Sequence, residues 1–265
     1  MNLNSYYDPQ TAKHSTTPHL TVELARDTAS IYASQRLRYQ IFAEEQGAIL
    51  SSAALGIDCD YYDDFCYHLL VRNTQTQEVV GSTRILTQAR AAQAGGFYSS
   101  HEFKFNGLFN ELKGNAIEIG RTCIHPHYRN GAGIGMLWVG LAQFMRLHQV
   151  NYLFGCASVS MQDQGQQASL IMQTVRERYL APDALRVTPI VPLLPISVEK
   201  SHKLSMPPLL KAYLKLGAWV AGEACFDPDF KVADFFILLD LQNLNQRYHQ
   251  HFMQQQTYHD LLKVA

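Results

Sequence analysis

Short apolar, β-branched runs alternate along the chain with longer segments in which apolar positions recur every three or four residues. The segment 27–47, DTASIYASQRLRYQIFAEEQG, begins at an N-cap residue, has Ala33, Leu37 and Ile41 four apart, and ends at a glycine. This pattern predicts an amphipathic helix. The runs CYHLLVR and VVGSTRIL, joined by the polar stretch NTQTQE, predict a β-hairpin.

The middle of the chain predicts a strand, a glycine-rich loop and a helix in direct succession. The strand is IEIGRTCI, the loop contains NGAGIG, and the helix is GMLWVGLAQFMRLHQ. The run NYLFGCASV predicts a further strand. A helix that a strand enters through glycines presents free backbone N–H groups, so we expect this loop to hold a ligand.

The remaining pattern predicts one α+β domain with a mixed central sheet flanked by helices, an α/β sandwich. The stretch ARAAQAGGFYSSHEF predicts a short helix with loop. Prolines interrupt 162–206, which predicts a partly helical insertion. The elements predicted after it are a short helix PPLLKAYLKLG, a strand AWVAGEACF, a turn DPDF, a strand DFFILLDL and a polar helix from about Gln242. We expect the domain to span 20–252, between a polar tail at 1–19 and a helical tail at 253–265.

Composition narrows the functional classes. A chain of 265 residues with 47% hydrophobic residues can bury a full core. Its net charge of −1, without a long basic run, argues against nucleic-acid binding. Five cysteines without a CxxC pair argue for reduced thiols and against a zinc site. The polar first residues and the lack of a long apolar run predict a cytoplasmic protein, whose membrane contact, if it has any, is peripheral to the inner membrane.

The glycine loop is the first candidate site. Asn130, Gly133 and Gly135 resemble the R/Q-x-x-G-x-G/A loop with which GNAT-superfamily acetyltransferases hold the pyrophosphate of coenzyme A. Glycines allow close backbone approach to phosphate, and the helix dipole favours the negative charge. Because the arginine falls one place early, at Arg129, the pattern favours a donor with one phosphate, such as a phosphopantetheine arm. The alternative is an ordinary tight turn.

Glu118 and Arg121 are the second candidate. Regular alternation puts their side chains on opposite faces of the strand, and a bulge at Gly120 would bring them together. A carboxylate in a partly dry cleft can accept a proton from an ammonium group. The alternative is a structural ion pair of Glu118 with Arg84 or Arg121.

The acidic run DCDYYDD, 58–64, is the third candidate. It suits a cationic substrate or a divalent metal, although it lacks the glycine and distal glutamate of a calcium loop. The alternative is a solvated loop paired with Arg36 and Arg38. The motif HPH, 125–127, predicts a turn, and CAS, 156–158, predicts a buried strand with a free cysteine.

Taken in order, several of these segments resemble one family of enzymes. RLRYQIFAEE, DYYDD, GSTR and EIGR resemble the signature of acyl-homoserine-lactone synthases, which have a GNAT fold and use acyl carrier protein thioesters. GGFYSSHEF, EIGRTCIHPHYR, PPLLKAYLKLGA and the closing DPDF and ADFFILLDL extend the similarity to bacterial ornithine N-acyltransferases. The resemblance covers about 20–252.

This resemblance implies transfer of a (3-hydroxy)fatty acyl group from acyl carrier protein to the α-amine of L-ornithine, which gives a lyso-ornithine lipid. It implies Glu118 as general base, with Arg121 as its catalytic partner and Phe42 lining the site. The implied acceptor pocket is a charged network of Arg38, Asp60, Asp63, Arg84 and Arg121. The implied phosphopantetheine and oxyanion contacts are Thr122, Cys123, Ile124, Arg129, Asn130, Gly131, Gly133 and Gly135.

We expect no metal, no permanently bound cofactor and no nucleic-acid partner; the acyl-phosphopantetheine is a substrate. Acyl carrier protein is acidic, so a basic patch should receive it. The candidates are Arg129, Arg146, Lys200, Lys203, Lys211 and Lys215. The alternatives are another amine acceptor, as in acyl-homoserine-lactone or N-acyl amino acid synthesis, a short acyl coenzyme A donor, or a non-catalytic module that binds lipid or carrier protein.

Overall fold

A mixed β-sheet forms the centre of the fold in the computed structural model, which describes residues 19–199 and 201–244. The strands, in chain order, are β1 Leu20–Leu24, β2 Tyr67–Asn73, β3 Val79–Thr87, β4 Phe103–Lys104, β5 Asn115–Ile124, β6 Val150–Ser160, β7 Thr188–Pro189, β8 Trp219–Val220, β9 Cys225–Asp227 and β10 Val232–Asp240. Strands β4 and β7 form a separate small pair, and the others belong to the central sheet. In space the order is β1-β2-β3-β5-β6-β10-β8, and β9 also pairs with β10. The β5–β6 pairing is parallel and the others are antiparallel.

Helices cover both faces of the sheet, whose inner strands β3 and β10 are buried along nearly their whole length. The helices are α1 Thr28–Tyr39, α2 Gln88–Gln93, α3 Leu108–Glu111, α4 Ala132–Leu147, α5 Gln166–Arg178 and α6 Pro208–Leu216. On one face, Leu137 and Leu141 of α4 belong to the same buried cluster as Leu69 of β2. On the other, Phe154 and Phe236 belong to a second cluster, so neighbouring residues of β6 and β10 pack into opposite layers.

Most predicted elements are confirmed. Asp27 caps α1 by accepting a hydrogen bond from the Ser30 N–H at 2.7 Å. The helix continues as a π-helical turn, Gln40–Glu45, and Gly47 follows it with a positive φ of 78°. The predicted hairpin is β2–β3, and the strand–loop–helix segment is β5 followed by α4.

Three elements differ from the prediction. Strand β1 was not among the predicted elements, although the alternation LTVEL signals it. The predicted strand AWVAGEACF is two short strands, β8 and β9. Of the predicted C-terminal helix, only the 3₁₀ turn Leu241–Asn243 is described; the rest, with the tails at 1–18 and 253–265, lies outside the described residues.

The parallel strands β5 and β6 separate halfway along their length. Their pairing runs from Asn115 opposite Val150 to Glu118 opposite Phe154 and then stops. At the next position a Cβ on Gly155 would collide with the carbonyl oxygen of Ile119, so only glycine permits this approach. Beyond it, β5 stays with β3 and β6 stays with β10, which opens a cleft between the two halves of the sheet.

Candidate active site

A cavity of about 210 Å³ occupies the cleft between the separated strands. One wall comes from β3 and β5 and includes Arg84, Glu118 and Arg121. The other comes from β6 and β10 and includes Cys156 and Asp234. Apolar side chains complete the lining, among them Phe42, Leu153, Leu209, Tyr213, Phe230 and Ile237. A volume of this size suits a small polar molecule rather than a drug-sized ligand.

Glu118 lies at the end of the paired part of β5, where the cleft begins. Its two carboxylate oxygens accept backbone hydrogen bonds from Tyr98 and Ser99, each at 2.7 Å. These residues begin the 3₁₀ turn Tyr98–His101, so the carboxylate holds that turn against the strand. Burial nevertheless raises the pKa of Glu118, although the hydrogen bonds from Ser99 and Tyr98 oppose the shift. No ion pair joins Glu118 to Arg84 or Arg121 in the described structure.

A β-bulge turns Arg121 into the same cavity as Glu118. Opposite Thr83 of β3, strand β5 places two residues, Arg121 and Thr122, and Arg121 has a positive φ of 52°. The bulge therefore lies one residue later than Gly120, where it was expected. The Arg121 guanidinium stacks between two aromatic rings, with Cζ 4.9 Å from the Tyr98 centroid and 4.4 Å from that of Phe230.

Three arginines and three aspartates form a network behind this wall. Arg38, which is fully buried, donates to Asp58 at 2.9 Å and to Asp63 at 2.6 and 3.2 Å. Arg84 donates to Asp60 at 2.5 Å. Arg121 joins the two groups, because it donates to Asp58 at 3.1 Å and to Asp60 at 3.3 Å.

The arginines of this network keep the side chains of Asp60 and Asp63 deprotonated. Burial alone would raise the pKa of Asp63, but hydrogen bonds from Arg38 and the charge of Arg84 lower it well below its usual range. For Asp60, Arg84 and Arg121 likewise outweigh burial and lower the pKa. Asp60 and Asp63 therefore stay charged at neutral pH, and the network is a rigid support for Arg84 and Arg121.

The opposite wall carries acidic groups that the network does not reach. Asp234 of β10, 3% exposed, accepts a 2.6 Å hydrogen bond from the Ser158 hydroxyl. Glu102 accepts one from the Cys156 thiol at 3.1 Å. Burial raises the pKa of both carboxyls, and the charge of Asp234 adds to the shift of Glu102 while that of Asp227 adds to the shift of Asp234. Burial beside Glu102 also raises the pKa of the Cys156 thiol.

The glycine loop lies at the N-terminus of α4, next to the open end of β5. Gly131 caps the helix with a φ of 100°, and the Asn130 side chain accepts from the Ala132 N–H at 3.2 Å. The N–H groups of Gly133 and Ile134 lack an acceptor among the described residues, as expected for a first turn. Arg129 donates to the Ile124 carbonyl at 2.9 Å and to both carboxylate oxygens of Glu45, at 2.6 and 2.8 Å.

The structure thus divides the residues that the sequence singled out into three groups. The cavity is lined by Phe42, Arg84, Glu118, Arg121 and Thr122. The layer behind it is formed by Arg38, Asp60 and Asp63. The remaining residues do not line the cavity: Cys123 and Ile124 are buried in the core, and Arg129, Asn130, Gly131, Gly133 and Gly135 lie at the start of α4.

Sequence reasoning missed several residues of the site. Asp58 stood in the acidic run but was not assigned to the network. Cys156 and Ser158 were interpreted as buried strand residues, yet both line the cavity. Asp234 could have been recognised from the sequence. Burying a carboxylate within the apolar run ADFFILL costs free energy, so its presence there indicates a functional role. For Tyr98 and Glu102 no local signal distinguishes them from loop residues.

Comparison with known proteins relates this chain to acyltransferases. Residues 37–139 match the model of the acetyltransferase (GNAT) domain. The L-ornithine N(alpha)-acyltransferase of Brucella abortus (strain 2308) is 33% identical over 245 residues, which cover 86% of this chain and 87% of that protein.

Two solved structures share the fold. The N-acyl amino acid synthase FeeM from uncultured soil microbes superimposes with a TM-score of 0.52 at 10% identity, covering 86% of this chain and 95% of that one. The CoA-dependent acyl-homoserine lactone synthase BjaI, with SAM and isopentyl-CoA, gives 0.53 at 12% identity, covering 92% and 93%. At these identities the likeness concerns the fold alone.

Proposed function

The chain belongs to the L-ornithine N(alpha)-acyltransferases, GNAT-fold enzymes that acylate ornithine, and from that premise we propose how it selects its donor and performs the transfer. The donor is a (3-hydroxy)fatty acyl group on the phosphopantetheine arm of acyl carrier protein. The product is a lyso-ornithine lipid.

The position of Glu118 is the observation that carries the mechanism. It is the acidic group on the β3–β5 wall, it lines the cavity, and burial raises its pKa. A carboxylate with these properties can accept a proton from the α-ammonium of ornithine, directly or through water. The deprotonated amine then attacks the thioester carbonyl. Arg84 and Arg121, held by the aspartate network, lie on the same wall and suit the α-carboxylate of the acceptor.

The state of the thiols favours direct transfer over a covalent acyl-enzyme. Two thiols line the cavity, those of Cys66 and Cys156. Burial raises the pKa of both, so both stay protonated and are poor nucleophiles. In direct transfer the amine nitrogen forms the new bond to the acyl carbon and the phosphopantetheine thiol leaves. Backbone N–H groups between Thr122 and Ile124 hold the oxyanion.

The glycine loop supports a donor with a single phosphate. Arg129 is committed to Glu45, so the loop offers backbone N–H groups, such as those of Gly133 and Ile134, rather than a free guanidinium. These suit the phosphodiester of a phosphopantetheine arm, whereas the pyrophosphate and 3′-phosphate of coenzyme A carry more charge.

Helix α6 is the proposed docking site for acyl carrier protein. Leu209 and Tyr213 of this helix line the cavity, while Lys211 and Lys215 are exposed and form no ion pair with any described residue. The helix therefore connects a basic outer surface with the active site. Arg146 and Lys203 are exposed as well, and Lys200 lies outside the described residues.

The product is amphipathic, and we propose that the cytoplasmic enzyme releases it at the membrane surface. Leu194 and Leu204 are exposed by 75% and 47% in the stretch between β7 and α6. No described helix is long and apolar enough to cross a bilayer, so this contact is peripheral. Co-sedimentation with anionic vesicles tests it, and a Leu194→Ser variant should bind more weakly.

The direct test is mass spectrometry of lipids from a host that lacks ornithine lipids and expresses this chain. Lyso-ornithine lipid is the expected product. The purified enzyme, given 3-hydroxyacyl carrier protein and a panel of amines, should release thiol only when ornithine is present. Faster release from a short acyl coenzyme A, or from acyl carrier protein with another amine, would contradict the proposal.

A further inference from the structure

The active-site cavity has opposite charge on its two walls. The β3–β5 wall carries the guanidinium groups of Arg84 and Arg121, while Glu102, Asp227 and Asp234 line the side formed by β6, β10 and their neighbouring segments. The two walls belong to the two halves of the sheet that separate after Glu118. A ligand that spans the cleft therefore meets cationic donors at one side and carboxylates at the other.

Among the described residues, no cationic group forms an ion pair with the carboxylates on the acidic side, and the charge of Arg121 acts on Glu102 and Asp234 only through space. Glu102 and Asp234 form no ion pair there; their hydrogen bonds come from the neutral Cys156 thiol and Ser158 hydroxyl. Behind the other wall, by contrast, Asp58, Asp60 and Asp63 are paired with three arginines. Asp234 is buried and Glu102 half-buried, and carboxylates withdrawn from water without an ion-pair partner are costly, so their presence in the wall of a substrate cavity indicates a cationic ligand.

A separate observation on the other wall also indicates a ligand. Arg84 is 3% exposed and lines the cavity, yet its Nε–H has no acceptor among the described residues. Buried guanidinium donors are normally satisfied. An anionic group bound on this side would supply the acceptor.

We propose that Glu102 and Asp234 bind the side-chain ammonium of the acceptor and so select an α,ω-diamino acid over amino acids with an apolar side chain. This inference rests on the proposed function, because it uses the same cavity. With the α-carboxylate on the arginine wall and the distal ammonium on the acidic wall, the α-amine is held near Glu118. Specificity then comes from a buried and a half-buried carboxylate that an uncharged side chain would leave unpaired.

The comparison of L-ornithine with L-norvaline tests this inference, since norvaline lacks only the δ-amine. For wild type we expect ornithine to be preferred by about 100-fold or more, as for other sites built to pair a buried polar group. In Asp234→Asn and Glu102→Gln, kcat/KM and affinity for ornithine should fall by about 10- to 100-fold, mainly through KM, while values for norvaline stay unchanged or improve. Asp240→Asn is the matched control, because Asp240 lies on the same strand outside the cavity lining.

The readouts separate this inference from the proposed function. Calorimetric titration of both amino acids measures selection without turnover, and unchanged norvaline binding shows that a variant has folded. A preference for ornithine that survives both substitutions would overturn the inference. So would a divalent ion bound by Glu102, Cys156 and Asp234, whose potential ligand atoms lie within 4.8 Å of one another, if chelation alone abolished the preference. Wild type that binds ornithine selectively but does not acylate it would count against the proposed function instead.

Discussion

Replacing Glu118 by glutamine separates the two tasks that the structure gives this side chain. The carboxylate holds the Tyr98 and Ser99 N–H groups, and the amide of glutamine has only one oxygen for them. One N–H then loses its acceptor, at a cost of about 1–3 kcal/mol. The substitution also removes a buried charge, which offsets part of that cost. Against a total stability of about 5–15 kcal/mol, the variant should remain folded.

The effect on catalysis should be much larger. Removal of a general base typically lowers the rate by about 10²- to 10⁴-fold. The sign of the pH dependence follows from the raised pKa of Glu118. Because the base works only when deprotonated, kcat/KM of the wild type should rise with pH through a value above the usual 4.5 of a glutamate. In Glu118→Gln this limb should disappear, and the rate should follow the ionisation of the free α-amine, at about pH 8.

The assay is thiol release from acyl carrier protein at saturating donor, measured from pH 5 to 9 for both proteins. Hydroxylamine, which is already neutral at pH 7, serves as a second acceptor, and the variant should recover most of its deficit with it. Thermal unfolding of both proteins reports the cost to the fold. Turnover within threefold of wild type, with the same pH profile, would refute the role of Glu118 as base. If the variant lost as much activity with hydroxylamine as with ornithine, the loss would come from displacement of the turn Tyr98–His101 rather than from the missing base.

Further predictions concern the support of the site and the donor. Arg38→Met should destabilise the fold by up to about 3–5 kcal/mol in urea unfolding, because it removes the nearest guanidinium from two buried aspartates and leaves Asp58 only Arg121 and Asp63 only Arg84. Arg176→Met, in an ion pair whose side chains are about half exposed, should cost less than about 1 kcal/mol. Gly135→Ala should stabilise α4 by up to about 1 kcal/mol, since a Cβ there meets nothing within 4 Å, yet raise KM for acyl carrier protein if the phosphate lies on this turn. Unchanged donor kinetics would contradict that position. Lys211→Glu should raise KM for the acidic acyl carrier protein severalfold at low salt and leave KM for ornithine unaltered. Lys113→Glu is the control: it lies outside the proposed docking surface and should change neither KM.

The sequence predicted the local elements well because each is encoded by neighbouring residues. The cap at Asp27, the β2–β3 hairpin and the step from β5 through glycines into α4 all appear where the pattern places them. The family resemblance added what periodicity could not. It pointed to the arginine–aspartate network, because most members of that network lie within the motifs that carry the resemblance.

The second wall of the site had no such signature. Glu102, Cys156 and Asp234 are more than fifty residues apart along the chain and belong to a turn and two strands. Their proximity follows from the pairing of β6 with β10 and from the small β4–β7 pair, which are long-range contacts. Regular alternation alone would place Arg121 on the face opposite Glu118. Gly120 indicated a bulge, but only the pairing with β3 shows that the extra residue lies one position later.

What the sequence by itself determined is therefore the set of local elements and the α+β class, which short-range spacing encodes, and the charged first wall, which the ordered motifs of the family resemblance indicated. Only the tertiary structure decided where β5 and β6 part, and hence where the cavity lies and which carboxylates face its arginines. The physical reason is that strand divergence at Gly155 and the burial of Asp234 depend on packing between segments far apart in the chain. Periodicity within one segment carries no record of such packing.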